Sequence, residues 1–234
     1  MSSSLLSSSI PSADGPDDSL IDYSISVTNI ENVEIIFRNQ RDRLLEFIRQ
    51  HEVIFGAVAW FTDIGLVNAL RGKYVAIVVQ KEDILRPDMK GSKSSLRNAY
   101  AAVACKLTRY DLPGVAQSMS YAGSPEATPF RCVGNYNRSK DLAFPRMHNK
   151  FLIGGTLSGT GINEYGTLDY KMQRVWTGSY NFSYNAQKSF ENALVLDCPE
   201  AAIAFASEWA QIFALSEPLN WAVDWIAPEY RIGS

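Results

Sequence analysis

The run Val53-Ile54-Phe55-Gly56-Ala57-Val58-Ala59-Trp60, then Thr62-Asp63, then Tyr74-Val75-Ala76-Ile77-Val78-Val79, decides the fold class of this 234-residue chain. The first run is apolar without alternation, which predicts a central strand covered on both faces. Thr62-Asp63 offers side-chain oxygens to the unpaired N–H groups of a helix start, and Leu66, Val67 and Leu70 follow at helical spacing. The second apolar run is another buried strand. Strand, helix, strand in this order implies a parallel pair joined by a right-handed crossover. The expected architecture is α/β, a mixed β-sheet flanked by helices on both faces.

Working outward, Val33 to Phe37 reads as an earlier strand, and Leu44, Leu45, Phe47 and Ile48 mark an amphipathic helix. Residues 81 to 95 read as a polar loop, Leu96 to Leu107 as an alanine-rich helix, and Pro113 to Pro145 as turns and short strands. Two further strands are expected at His148 to Ile153 and Val175 to Gly178. Between them, Gly154 to Gly166 looks too long for a tight hairpin and is expected to form a mobile rim. Phe190 to Leu196 predicts another strand, and Pro199 to Phe213 a closing helix bearing Phe205, Trp209 and Phe213.

The length suits one domain with tails. Residues 1 to 28 are rich in Ser, Pro, Asp and Gly, a composition that buries too little apolar surface to offset ordering entropy, and read as a disordered tail. Residues 29–215 form the expected domain and 216–234 a C-terminal extension. No apolar run approaches the ~20 residues of a membrane span, and Leu5-Leu6 lies in a serine tract without a basic leader, so a soluble cytoplasmic protein is expected. Cys105, Cys132 and Cys198 are widely separated and lack C-x-x-C spacing, which points to buried reduced thiols and not to a disulfide framework or a zinc site.

The net charge of −3 conceals an asymmetry. Residues 1 to 34 hold six acids and no Lys or Arg, and residues 191 to 234 hold seven acids against Arg231 alone, whereas residues 86 to 150 hold eleven Lys or Arg against four acids. The basic surplus leads into His148, where a polyanionic substrate would need it. An ordinary mixed surface accounts for the same charges equally well.

Arg146-Met147-His148-Asn149-Lys150-Phe151 places an imidazole and an ammonium two residues apart, hence on one face of a strand. A second polar cluster follows at Gly178-Ser179-Tyr180-Asn181-Phe182-Ser183, and Glu191-Asn192-Ala193 opens an apolar strand. In this order the segments resemble the phospholipase D superfamily, with its H-x-K, G-S-x-N and Glu-Asn signature, and most closely its short single-motif nucleases. One position departs from that pattern: Gly155 stands where the family usually has an acidic residue five positions after the lysine. Glu164 or Asp169 could supply the missing carboxylate.

The resemblance implies a phosphodiesterase that needs no metal or other cofactor and uses two H-x-K units. One histidine attacks phosphorus to give a phosphohistidine, and the other protonates the leaving group and then activates water. This chain has two histidines, and His51, at a helix end and without a lysine two positions on, reads as structural. A full site therefore calls for a second copy of His148, and so for a homodimer with its two-fold axis through the site. Lys150 and Asn181 would hold phosphate oxygens, Ser179 would bond nearby, and Glu191 would orient an imidazole. Of the aromatic residues, Trp60 is expected in the core and Tyr180 is the candidate for stacking a base of a nucleic-acid substrate. Cleavage of DNA or RNA is the leading expectation. The same chemistry would also suit a phospholipid hydrolase, and Gly155 would suit a degenerate member that only binds nucleic acid or protein.

Overall fold

The computed structural model describes residues 27–82, 85, 94–120, 126–136, 145–221, 223–228 and 231–232. An eight-stranded mixed sheet forms its centre. In chain order the strands are β1 (Val27–Ile30), β2 (Val33–Ile36), β3 (Val53–Val58), β4 (Tyr74–Gln80), β5 (Phe130–Val133), β6 (Lys150–Ile162), β7 (Leu168–Gly178) and β8 (Ala193–Asp197). Across the sheet they run β1-β2-β8-β7-β6-β3-β4-β5. The pairs β3–β4 and β4–β5 are parallel, and every other neighbouring pair is antiparallel.

Helices α1 (Gln40–Gln50), α2 (Ile64–Ala69) and α3 (Ser94–Ala101) cover one face, and α4 (Pro199–Ala214) covers the other. The alternation of strand side chains explains the two layers. Ile54, Val58, Leu152 and Trp176 pack with Leu44, Phe47 and Ile48 of α1, whereas Val53, Phe55, Ala57, Phe151 and Ile153 pack with Trp209 and Phe213 of α4. All six residues of β3 are buried, as its unbroken apolar run requires. Asp63 caps α2 by accepting the Leu66 N–H at 3.1 Å.

Several boundaries differ from the sequence reading. Residues 154 to 166 form no mobile rim: β6 runs through them to Ile162 and pairs with β7 in one long hairpin, whose turn is tied by Asn163 to Thr167 and Gly166. The strand begins at Lys150, so His148 and Asn149 precede it, and Glu191 likewise precedes β8. Helix α3 stops at Ala101, well before Leu107. The expected tail falls on residues outside those described, except that Val27 and Thr28 already belong to β1. Of the three free cysteines only Cys132 is buried, while Cys105 is exposed, because β5 is covered by the 216–218 segment and the loop after α3 is open to solvent.

Candidate active site

The register of the sheet brings the two motifs together. Lys150 opens β6 opposite Val58 at the end of β3, and Thr177 near the end of β7 pairs with Phe151, with Gly178 opposite Ala193 at the start of β8. His148, Lys150, Ser179 and Glu191 therefore gather at one end of the central strands although forty-odd residues separate the first from the last. Main-chain bonds set the entry: the Ala59 N–H donates to the Asn149 carbonyl at 2.8 Å, and the Thr62 and Asp63 N–H groups donate to the Phe182 carbonyl at 2.8 and 2.9 Å.

Lys150 is not a surface lysine. It is only 7% exposed, on the α1 side of the sheet, and its ammonium donates to the His148 carbonyl at 2.8 Å while lying 3.3 Å from both ring nitrogens. Equal distance to the two nitrogens sets the ammonium over the imidazole instead of at either nitrogen. Burial lowers the lysine's pKa, opposed by the nearby Glu191 carboxylate. The His148 pKa is also lowered, first by partial desolvation and then by Lys150 and Arg146, which favours the neutral imidazole. Its ring is solvent-exposed.

The second cluster is held by its own bonds. The Ser179 hydroxyl donates a short hydrogen bond to Glu191 and accepts the Asn192 N–H at 3.0 Å, while the Ser179 N–H donates to the Asn192 carbonyl at 3.0 Å. Within one chain the Glu191 carboxylate thus engages the Ser179 hydroxyl. The Asn181 side-chain oxygen is buried without a hydrogen-bond partner and borders a cleft next to the cluster. Among the described residues no group of His, Cys, Asp or Glu is arranged to hold a metal ion.

Two aromatic expectations are reversed. Tyr180 is 1% exposed and packs in the α1-side core, so its ring cannot receive a base. It lies between Ser179 and Asn181 in the sequence, but alternation turns it inward. Trp60 is 38% exposed, because the chain leaves the sheet after Val58, and its ring stands perpendicular to that of His148 with centroids 5.8 Å apart.

His51 is 3% exposed, with Nδ1 2.7 Å from the Phe47 carbonyl at the end of α1, and burial lowers its pKa. Gly155 faces the α4 side, opposite Lys150. A Cβ there would lie 2.9 Å from the Lys171 carbonyl oxygen, so a carboxylate at this position would have neither room nor access to the cluster. Glu164 and Asp169 stand at the far end of the hairpin and cannot substitute for it.

Sequence reasoning missed Gln80, Arg146 and Glu82. Gln80 is 1% exposed, accepts the Met147 N–H at 2.8 Å and donates to the Asn135 carbonyl at 2.9 Å. Glu82 takes the Trp60 indole N–H at 3.1 Å and an Arg146 nitrogen at 3.3 Å. The one signal available was the polar pair Gln80-Lys81 ending an otherwise apolar strand.

No protein-family model matches the chain. It is 29% identical over 201 residues to an uncharacterized protein of Acanthamoeba polyphaga mimivirus, an alignment that covers 79% of this chain and 66% of that protein, slightly under two thirds of its length. Among solved structures it is similar to NucT from Helicobacter pylori, with a TM-score of 0.48 and 14% identity over 80% of this chain and 98% of the other. It is also similar to Nuc from Salmonella typhimurium, described as a phospholipase D family member, with a TM-score of 0.43 and 20% identity over 79% and 95% of the two chains.

Proposed function

We propose that this chain is a phosphodiesterase of the phospholipase D superfamily, a metal-independent endonuclease whose site is completed by a second copy of itself. The observation that carries this reading is the buried Lys150 ammonium set against an exposed His148 beside the Ser179–Glu191 pair. A neutral imidazole has a lone pair to give, and an ammonium and an asparagine beside it suit the charge of a phosphodiester.

In this mechanism an imidazole nitrogen of His148 forms a bond to phosphorus as the bond to the leaving oxygen breaks. The partner subunit's His148, protonated, gives its proton to that oxygen. Now neutral, it takes a proton from water, whose oxygen attacks phosphorus, and the electrons of the nitrogen–phosphorus bond return to the first imidazole. Lys150 and Asn181 hold the non-bridging oxygens. Ser179, fixed by Glu191, bonds beside them, and the Glu191 carboxylate opposes the lowering of the Lys150 pKa by burial.

The test is hydrolysis of a chromogenic phosphodiester and of single- and double-stranded DNA and RNA in excess EDTA, with His148→Asn as control. Turnover should persist in the chelator and vanish in the variant, whose fold and substrate affinity are retained. Activity that needs added magnesium, or that survives in His148→Asn, would overturn the reading.

A further inference from the structure

Beside His148 lies an open cleft of about 320 Å³, a size in the range of small-ligand sites. Trp60 forms its one large apolar wall, and Thr62, Asn181, Ser183, Asn185 and Ser189 line it with hydroxyls and amides. Among the described residues no lysine or arginine lines it, and Glu191 is the one charged residue that does. Two described cations near it, Lys150 and Arg146, lie instead with His148 and on the Trp60 ring.

This division of charge says what the cleft takes. A phosphate would seek the lysine and find no counter-charge among amides and a carboxylate. An acyl chain would need apolar walls on more than one side. A flat group with polar edges fits both the indole and the hydroxyl and amide lining. The indole is also fixed in place for such a partner: its N–H is bound to Glu82, Glu82 holds Arg146, and the Arg146 guanidinium carbon sits 6.0 Å from the ring centroid. One side of the ring carries the guanidinium while the ring still borders the cleft.

We propose that this cleft is a nucleobase subsite for an unpaired strand, with Trp60 as its stacking wall and Asn185, Ser183 and Ser189 as partners for the base edge. The proposal rests on the nuclease reading for the neighbouring phosphate and names its substrate class: single-stranded nucleic acid, because a base inside a duplex already has both faces stacked. The perpendicular contact of Trp60 with His148 puts the stacked base next to the phosphate that His148 would attack.

The experiment measures binding in a His148→Asn background, so it reads out whether or not the chain turns over. Fluorescence anisotropy would follow a labelled single-stranded oligodeoxynucleotide and an abasic strand of the same length, with Trp60→Ala, Trp60→Phe and Asn185→Ala added in turn. Stacking makes Trp60→Ala weaken binding of the base-bearing strand roughly tenfold and leave the abasic strand within about twofold, with Trp60→Phe in between. Asn185→Ala, on an exposed 3-10 turn, should weaken the base-bearing strand alone by about threefold. Equal losses on both strands, or none on either, overturn the subsite. Base-dependent binding in a chain that cleaves no diester would leave the subsite standing and remove the phosphodiesterase reading. Diester cleavage without base-dependent binding would do the reverse.

Discussion

Gln80 ties the end of β4 to the residue before His148: its side-chain oxygen accepts the Met147 N–H at 2.8 Å, and its amide nitrogen donates to the Asn135 carbonyl at 2.9 Å. Gly134 adopts a φ of +92°, and a Cβ there would lie 2.4 Å from the Gln80 oxygen, so a glycine is needed both for the backbone and for the space. The segment that delivers His148 is in this way anchored to β4, the middle strand of the parallel set.

Gln80→Leu removes the acceptor of the buried Met147 N–H, a cost of about 1–3 kcal/mol. If Gln80 positions His148, kcat should fall roughly ten- to a hundredfold with KM nearly unchanged, since small misplacements of a reacting group are costly. Gln80→Glu, which keeps the acceptor for Met147, should recover part of kcat. Equal losses in kcat and stability-corrected active fraction would reduce Gln80 to a purely structural role.

The lowered pKa of His148 places the acidic limb of kcat/KM below the ordinary imidazole value of 6.5. Arg146 contributes to that lowering, after burial and Lys150. Arg146→Met should therefore shift the limb upward toward 6.5, read from a pH–rate profile at constant ionic strength. A limb that stays in place would mean that Arg146 does not act on the imidazole.

His51 should leave activity alone and govern stability. Its folded pKa lies below the ordinary 6.5 because burial outweighs its bond to Phe47. The unfolded chain therefore binds this proton more readily, so its contribution is fully present above pH 6.5 and is lost as pH falls through that value toward the folded pKa. His51→Gln should flatten the dependence of denaturant midpoint on pH across that window while keeping kcat within about twofold.

Gly155→Asp should not raise turnover. The new Cβ would press on the Lys171 backbone at 2.9 Å, beside the irregularity between Met172 and Arg174, and overpacking of this kind costs about 1–3 kcal/mol. A lower thermal midpoint with little change in kcat is expected, and a rise in kcat would reinstate a functional role for an acid there.

Subunit mixing tests the shared site. Equal amounts of wild type and His148→Ala, allowed to exchange, should retain about a quarter of wild-type activity if both copies are needed, and about half if each chain acts alone. Sedimentation at assay concentration should show the dimer.

The central strand-helix-strand unit was legible because β3 and β4 are continuously apolar and Asp63 is a cap with a physical reason to be there. The β6–β7 hairpin was not, because its glycines read as breaks. Two of them are demanded by packing across the strand: a Cβ on Gly154 would lie 2.5 Å from the His51 ring, and one on Gly155 would meet Lys171. Spacing alone paired His148 with Lys150, and their grouping with Ser179 and Glu191 was implied by the resemblance of the motifs. The exchange of Trp60 and Tyr180 between surface and core did not, since it depends on where β3 ends and on which way one residue turns after β7. Gln80 carries no spacing signal, because its partners are backbone groups 55 and 67 residues away.

The long hairpin also offers a handle. His148 and Gly178 lie at its base and the Asn163–Thr167 turn at its tip, where Tyr165 is 81% exposed and the turn is closed by its own Asn163 bonds. A fluorophore or affinity peptide grafted there would sit a full strand's length from the chemistry. Signals from such a reporter would then track the motion of the whole molecule without entering the cleft beside Trp60.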